Sequence, residues 1–370
     1  MKIKTLTTHN IYNYGASLQA YALHQYLSNL GHDVEIINFR PEYSLRRYDY
    51  TYVNPEWKFH KYAIARFIYK KIKYLQRLST LKRKANFDNF TNQYIKATEK
   101  EYRNNDELKQ DTPIADAYIV GSDQVWNSFY DRGKDPASYL DFAPNNAKCI
   151  SYAASFSITE IDKANVPFVK QMLKKFNFIS VREKHGLSIL EQLGFNGTWV
   201  LDPVFLLPVE DWKVMMTPFK KKENYLLVYD FERNAAVKKF AKQYAKQKGL
   251  KIYAVTDTHP LLYAYKNFNA AGSCEFLSLI YNCDCFISNS FHGSVFSIIF
   301  NRPFFIFGRN KHKVNSRMES LLDMFELSDR YISDFNDLSV IDEEIDYDKV
   351  NQIKEQFLIK SKSFLQESLS

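Results

Sequence analysis

The sequence predicts an α/β protein built from two open parallel sheets that face each other across a cleft. The 370 residues fit two domains, strand and helix patterns alternate along the chain, and the alternation starts again after an interruption. Alternating strands and helices favour parallel sheets, because parallel strands need crossover connections. Pro208, Pro218 and a polar run at 220–224 mark the interruption. We therefore expect an N-terminal domain at 1–207 and a C-terminal domain at 208–370.

The first half opens with a strand, a loop, a helix and a second strand. Residues 3–7 are a strand candidate and 10–15 form a polar loop. Apolar residues recur at helical spacing over 17–30, where Gly31 ends the helix, and a strand follows at 34–39. Further strands are predicted at 117–121, 150–154 and 178–182, with a helix at 185–193 and a short apolar stretch at 200–202 before Pro203.

The second half repeats the alternation of strands and helices. Strands are predicted at 225–229, 251–256, 285–288 and 303–307, and helices at 235–248, 275–282 and 291–300. The last predicted helix, at about 347–365, is amphipathic, and we expect it to cross back onto the first domain. Ligands of open α/β sheets bind beyond the carboxyl ends of the strands. The loops that follow the strands are therefore the places to look for chemistry.

The positive charge of the chain is concentrated in one insert at about 41–90. The formal net charge is +8, and residues 40–84 alone hold thirteen Lys/Arg and three Asp/Glu. The rest is close to neutral, which argues against a nucleic-acid-binding surface. Residues 57–84 are predicted to form a basic amphipathic helix or helix pair. This segment is either a solvated helix packed on its own domain or a surface for anionic lipid or a lipid diphosphate.

No apolar run reaches the length of a signal peptide or a membrane span. We therefore expect a cytoplasmic protein, with peripheral attachment at the inner face of the cytoplasmic membrane as an option. Cys283 and Cys285 lie two residues apart in a strand candidate, and we interpret them as buried apolar residues rather than metal ligands, because no second ligand pair accompanies them. Zinc-hydrolase, P-loop and α/β-hydrolase motifs are absent from the sequence.

The segment Ser288 to Gly293 is the first candidate site. It leaves a strand and enters a helix, and a polar helix N-terminus favours anions. His292 lies in the first turn, where it could act as a general acid or base. The alternative is a run of capping residues followed by a histidine in the core.

Three further features could carry charge to the site. Asp123 follows a strand, and its alternative role is a turn or N-cap residue. Arg182 also follows a strand, where an exposed guanidinium could clamp a carboxylate or phosphate, or form a surface ion pair with Glu183. The basic run at 309–313 together with Arg317 could bind an anion or be a solvated loop.

Seven segments in order resemble the polysaccharide pyruvyl transferase family. They read NYGASLQ at 13–19, VGSDQVWN at 120–127, SYAASF at 151–156, SVRE at 180–183, LDP at 201–203, NSFHG at 289–293 and NSR at 315–317. Each is weak alone, but their order makes the set specific. The resemblance implies two Rossmann-like domains in the GT-B-like arrangement of glycosyltransferases. It also implies transfer of a pyruvyl group from phosphoenolpyruvate to a sugar, giving a cyclic ketal.

The resemblance further implies roles for individual residues. His292 is the expected acid, and Asp123 a base or a ligand of an acceptor hydroxyl. The expected donor-binding residues are Arg182, Ser290, Gly293, Lys311, Lys313 and Arg317, and the expected acceptor-binding residues are Asn13, Tyr14, Gly15, Gln19 and Trp126. The scheme requires no metal and no cofactor beyond phosphoenolpyruvate as co-substrate. Acceptors in the family are typically lipid-linked or nucleotide-linked saccharide precursors of capsule, exopolysaccharide or cell wall.

One position departs from the family pattern. Several members place an arginine two residues before the motif histidine, whereas this chain has Ser290 there. Donor binding would then depend on Arg182, on the loop from Arg309 to Arg317, or on backbone amides. A glycosyltransferase that uses a nucleotide-sugar donor is the alternative function for the same architecture.

Overall fold

The computed structural model of the protein describes residues 1–45, 53, 57–257, 259–309, 315–333 and 339–370. Within these ranges the chain forms two separate parallel sheets with helices packed around them. The seven strands of the first sheet are β1 (Lys2–Leu6), β2 (Asp33–Phe39), β3 (Ala97–Tyr102), β4 (Ala117–Val120), β5 (Lys148–Ala154), β6 (Phe178–Val181) and β7 (Thr198–Trp199). Those of the second are β8 (Tyr225–Tyr229), β9 (Lys251–Val255), β10 (Lys266–Phe268), β11 (Cys285–Ser288), β12 (Phe304–Phe307) and β13 (Tyr331–Ile332).

Both sheets have the strand order of a Rossmann fold. The first runs β3-β2-β1-β4-β5-β6-β7 and the second β10-β9-β8-β11-β12-β13, and all neighbouring strands are parallel. The order reverses beside β1 in one sheet and beside β8 in the other. A crevice opens at such a reversal, and ligands bind there. The α/β fold with two parallel sheets is therefore confirmed, while the domain boundary at 207/208 stays a prediction.

Twelve α-helices connect or flank the strands in the described residues. They are α1 (Tyr14–Asn29), α2 (Glu42–Leu45), α3 (Ala63–Tyr94), α4 (Asn105–Gln110), α5 (Val166–Leu173), α6 (Lys184–Leu193), α7 (Val209–Met215), α8 (Ala235–Lys248), α9 (Ser273–Asn282), α10 (Phe291–Ile299), α11 (Ser316–Met324) and α12 (Tyr347–Leu369). The basic segment at 57–84 was predicted as a helix or helix pair; it forms a turn at its start and, from Ala63 onward, part of the single helix α3. None of the helices in the described ranges has the length and apolar character that crossing a membrane would demand.

The C-terminal helix returns to the first sheet, as the sequence analysis expected. Phe364 of α12 lies 6.4 Å from Tyr152 of β5 between ring centroids, and Phe357 lies 5.4 Å from Trp199 of β7. The Leu201 amide donates a hydrogen bond of 2.9 Å to Ser361 Oγ. This helix therefore covers the first sheet just before the chain reaches Asp202.

The hydrophobic core is continuous between the two sheets. Tyr14 at the start of α1 stacks on Phe276 of α9 at 4.3 Å, and its hydroxyl donates to the Ala271 carbonyl at 2.9 Å. Trp212 of α7 packs against Phe296 of α10 at 5.0 Å and against Tyr21 of α1 at 5.8 Å between ring centroids. Apolar burial on both sides of this contact fixes how the loops of one sheet meet the loops of the other.

Candidate active site

A cleft of about 590 Å³ lies where the carboxyl ends of the two sheets meet. Its walls come from the loops after β1, β4, β8, β11 and β12, from α2 and from the start of α11. Two of these loops flank the strand-order reversal of the first sheet, and two flank that of the second. Such a volume falls in the range of small-molecule sites. We call this space the cleft.

His292 reaches the cleft from the first turn of α10. Ser290 is the N-cap, and its hydroxyl accepts a hydrogen bond of 3.2 Å from the Gly293 amide. The helix therefore begins at the residue after this cap, and His292 is its second residue. The side chain is only 9% exposed, yet it lines the cleft. Its Nε2 lies 3.5 Å from Asp202 Oδ2.

Asp202 is a buried carboxylate held by several charged and polar groups. Burial alone would raise its pKa, but the contacts with His292 and Arg182 outweigh burial and hold the pKa below the ordinary aspartate value. Arg182 Nη1 donates to Oδ2 at 2.7 Å and Ser122 Oγ donates to the same oxygen at 2.9 Å. The Val204 amide donates to Oδ1 at 3.2 Å. Asp202 therefore stays ionised and orients the Nε2 side of the imidazole.

A hydrogen-bond chain ties this carboxylate to the loop after β1. The Ser122 amide donates to Gln19 Oε1 at 3.1 Å, and Gln19 Nε2 donates to Thr7 Oγ1 at 2.9 Å. Because Gln19 is fully buried and its amide oxygen is already bonded, it positions the loops rather than lining the cleft. These hydrogen bonds thus fix the relative positions of three loops, those after β1, β4 and β7, which are distant in sequence and lie beside His292.

Gly15 packs directly against the imidazole. A Cβ placed on this residue would lie 2.0 Å from His292 Nδ1 and 2.5 Å from its Cγ. Such distances are far below van der Waals contact, so glycine is required for the histidine to sit where it does. The preceding Asn13 caps α1, accepting a hydrogen bond of 3.1 Å from the Ala16 amide, and it lines the cleft.

Arg317 is a buried cation that lines the cleft from the first turn of α11. It is 8% exposed, and no carboxylate of the described residues lies within ion-pair distance of its guanidinium. Burial and the neighbouring Arg182 lower its pKa to about 10. Its Nε has no hydrogen-bond partner in the described part of the chain. Arg309, in contrast, lies 3.3 Å from Glu232 Oε1. Arg317 therefore has positive charge available for an anion. Arg132, which also lines the cleft, likewise has no carboxylate within ion-pair distance among the described residues.

Asp123 lines the same cleft from the loop after β4. Its backbone adopts a φ of +67°, a left-handed conformation that costs a non-glycine residue energy. The carboxylate lines the cleft, 3.9 Å from Arg182 Nη2. A carboxylate, an imidazole and an unpaired guanidinium thus meet in one space.

Several residues chosen from the sequence lie elsewhere. The expectation that Arg182 is exposed is wrong, because its side chain is 2% exposed and engaged by Asp202. Trp126 is in the core, stacked on Tyr139 at 5.7 Å and donating to the Ser138 carbonyl. Gly293 packs on the Phe286 ring, where a Cβ would lie 2.6 Å from a ring carbon.

Direct ligand contacts by these three residues and by Tyr14 stay predictions without support from their placement. Lys311 and Lys313 lie outside the described residues. The sequence analysis missed Arg132, which lines the cleft from a short 3-10 helix after β4. It also gave Asp202 no role, because an aspartate before proline looks like a turn residue.

The comparisons with known proteins agree with this architecture. A Listeria monocytogenes protein assigned as a UDP-N-acetylglucosamine 2-epimerase has 10% identity over 99% of this chain and 97% of that chain, with a TM-score of 0.53. The UDP-bound MnaA of S. aureus has 11% identity over 99% and 90%, with a TM-score of 0.50. At such low identity these likenesses show only the shared fold of two Rossmann-like domains.

No curated protein sequence matches the chain. The model of a sequence family described as polysaccharide pyruvyl transferase matches residues 13–311. The matched range contains Asn13, Asp123 and His292, which line the cleft, and Asp202, which contacts His292. Because the match extends over most of its length, this chain belongs to the polysaccharide pyruvyl transferase family.

Proposed function

We propose that this protein transfers the pyruvyl group of phosphoenolpyruvate to two hydroxyls of one sugar in a polysaccharide precursor, forming a cyclic ketal and releasing phosphate. The observation that carries the proposal is Arg317, a buried guanidinium that lines the cleft beside His292 without a carboxylate partner among the described residues. A cation held in this way is poorly compensated until an anion enters the cleft.

Phosphoenolpyruvate suits this position because it carries a carboxylate and a phosphate. Arg317 can bind either group with two parallel N–H donors. The N-terminus of α10, with the Ser290 hydroxyl at its cap, adds a favourable dipole on the neighbouring wall. In this proposal Arg317 supplies the positive charge that relatives with an arginine at position 290 would supply from α10.

Ketal formation requires two proton transfers. One acceptor hydroxyl adds to C2 of phosphoenolpyruvate while C3 takes up a proton, which converts the methylene to a methyl group. The bond from C2 to the phosphate oxygen then breaks, phosphate leaves, and the second hydroxyl adds to C2. The two hydroxyl protons thus balance the proton gained by C3 and the proton gained by phosphate.

His292 and Asp123 fit the two proton-transfer roles. His292 is assigned to protonate C3, because its imidazole lines the cleft and the Asp202 carboxylate, 3.5 Å from Nε2, orients the ring. Asp123 is assigned to accept the proton of the attacking hydroxyl, because its carboxylate lines the same cleft. Each general acid or base contributes about 10²–10⁴-fold to such reactions. Asp202 and Arg182 are positioning residues in this scheme, because they act through His292.

The test is to incubate the protein with phosphoenolpyruvate and galactose-containing lipid-linked or nucleotide-linked acceptors. We expect phosphate release and a product heavier by one pyruvate less one water. His292→Gln should reduce turnover by roughly 10²–10⁴-fold, while the matched change His32→Gln, outside the cleft, should leave it intact. Full turnover by the His292 variant would remove the assigned acid.

A nucleotide-sugar glycosyltransferase is the second candidate, because the similar MnaA structure holds UDP in the same fold. Thermal shift separates the two. A ligand that binds the folded protein stabilises it by RT ln(1 + [L]/Kd). We expect phosphoenolpyruvate to raise the melting temperature through Arg317. Stabilisation by nucleoside diphosphates, with no effect of phosphoenolpyruvate, would favour the glycosyltransferase.

A further inference from the structure

We propose that the N-terminal part of α3, with the turn before it, docks onto the surface of an anionic phospholipid bilayer. The surface consists of the apolar side chains of Ile64, Phe67, Ile68, Ile72 and Leu78 together with the basic residues Lys70, Lys71 and Lys73. We call it the α3 surface. It is separate from the cleft, and no step of the proposed reaction uses it.

The apolar residues of the α3 surface form one stripe. Their positions follow the spacing i, i+3, i+4, i+8 and i+14, which places them on one face of a helix. Ile64 is 77% exposed and Phe67 61% exposed, and Ile68 and Ile72 are each slightly more than half exposed. Large apolar side chains scattered singly on a surface are normal, but a contiguous stripe marks an interaction site.

The other end of α3 anchors the helix to the body of the protein. Phe87 and Phe90 are buried in the core, and Asn86 Nδ2 donates to the Ala270 carbonyl at 2.7 Å. The helix is 32 residues long, roughly 48 Å at 1.5 Å per residue. An anchored C-terminal end and an exposed N-terminal end present the stripe as a fixed surface.

The positive charge around the stripe favours an anionic partner. Residues 57–84 contain ten Lys/Arg and no Asp or Glu. Lys70 is exposed beside the stripe, and Lys71 is exposed on the same helix face as the stripe, where its Nζ lies over the Phe67 ring at 5.5 Å. Long lysine side chains can keep their charge in the headgroup region while their stems cover apolar surface. An apolar stripe with basic flanks is the pattern of a helix that lies in an anionic membrane interface.

A second copy of the chain suits the α3 surface less well. Pairing two stripes would bring two such basic segments together, and like charges repel at short range. Apolar burial would have to overcome that repulsion without a carboxylate from either copy of 57–84. An anionic bilayer instead supplies charge complementarity and an apolar interior at one surface.

The anchored end of α3 also touches the cleft wall. Arg83 Nη2 donates to the Tyr12 carbonyl at 2.9 Å, and the next residue, Asn13, lines the cleft. If the acceptor is lipid-linked, docking α3 would hold this wall near the surface that carries the acceptor. That consequence rests on the proposed function, whereas the docking itself does not.

The experiment is co-sedimentation of the full chain with vesicles of phosphatidylcholine, with and without phosphatidylglycerol, at low and high salt. We expect binding only when phosphatidylglycerol is present and loss of binding at high salt. Replacing Lys70, Lys71 and Lys73 by Gln should weaken binding about fivefold per lysine, so roughly 100-fold together. Replacing Ile64, Phe67 and Ile68 by Ser should abolish it. These side chains are solvent-facing, and melting curves will show that the variants fold.

Matched variants on other surfaces control for the general effect of removing three positive charges or three exposed apolar side chains from the protein. The charge control replaces three exposed lysines of α8, Lys238, Lys242 and Lys246, by Gln, and the apolar control replaces Val214, Leu262 and Ile359, all exposed, by Ser. Neither should change sedimentation. The proposal is overturned by two outcomes: no binding to phosphatidylglycerol vesicles, with or without a stripe-dependent dimer in its place, or equal binding to neutral vesicles. No substrate is present, so failure of the proposed reaction cannot imitate any of these results.

Discussion

Gly15→Ala tests whether the position of His292 controls turnover. The new Cβ would lie 2.0 Å from Nδ1, 2.5 Å from Cγ and 2.8 Å from Cε1 of the imidazole. Carbon contacts are optimal near 3.5 Å, so the ring has to move by roughly 1.5 Å or α1 has to shift. Because Nε2 already lies 3.5 Å from Asp202 Oδ2, such a movement changes the contact that orients the ring.

The magnitude follows from the displacement. A misplacement of about 1 Å at a reacting group can reduce turnover by roughly 10²-fold. We therefore expect Gly15→Ala to lower kcat about 100-fold, with overpacking costing roughly 1–3 kcal/mol of stability. The KM for phosphoenolpyruvate should change much less, because Arg317 lies on a different element. The assay is steady-state phosphate release over a range of phosphoenolpyruvate concentrations.

Gly31→Ala is the matched control, because it places the same methyl group just beyond the other end of α1. There the Cβ would meet nothing within 4 Å, although the φ of +86° makes alanine strained. This variant should lose about 1–2 kcal/mol of stability and keep its kcat. If the folded Gly15→Ala enzyme turned over at the wild-type rate, the contact with His292 would not position the acid and the reasoning would fail.

Three further predictions address the charged groups. Arg317→Met should raise the KM for phosphoenolpyruvate about 10–100-fold, because a hydrogen bond to a charged group contributes roughly 1.5–3 kcal/mol; Arg309→Met, measured in parallel, should do less because Arg309 pairs with Glu232. Asp202→Asn should lower kcat with little effect on the KM for phosphoenolpyruvate. A rise in that KM as large as the fall in kcat would show that Asp202 takes part in donor binding instead. Burial lowers the pKa of His9 from 6.5 to about 4, so neutral His9 contributes stability that is complete above pH 6.5 and lost as pH falls to 4. Urea titrations should show that His9→Gln removes roughly 3 kcal/mol of this pH dependence.

The sequence predicted the central strands because they are short, buried and apolar. The strands β4, β8 and β11 are fully buried along their length, and such runs stand out from their polar loops. The edge strand β3, at Ala97–Tyr102, was missed because it reads ATEKEY and is half exposed, so it has no apolar run. The two-residue strands β7 and β13 are too short to leave a pattern.

The site was predicted in part, and the difference has a physical cause. A loop after a strand can be recognised from sequence, which located His292, Asp123 and Asn13. The direction in which a side chain points within such a loop depends on distant partners. Arg182 turns inward because Asp202, twenty residues later, lies 2.7 Å from its Nη1. No spacing rule in a single sequence encodes that pairing.

The contact between His292 and Asp202 makes the site depend on the packing of the two sheets. His292 stands on the connection from β11 to α10, whereas Asp202 follows β7 of the first sheet and is bonded to Ser122 and Arg182 of that sheet's loops. Neither sheet alone therefore contains the proposed acid together with its carboxylate partner. The stacked pair of Tyr14 and Phe276, one ring from each side, lies one residue from Gly15. Because protein cores resist small deformations, this apolar contact keeps the first turn of α1 against the imidazole, and the precision of the proposed acid rests on hydrophobic packing as much as on charge.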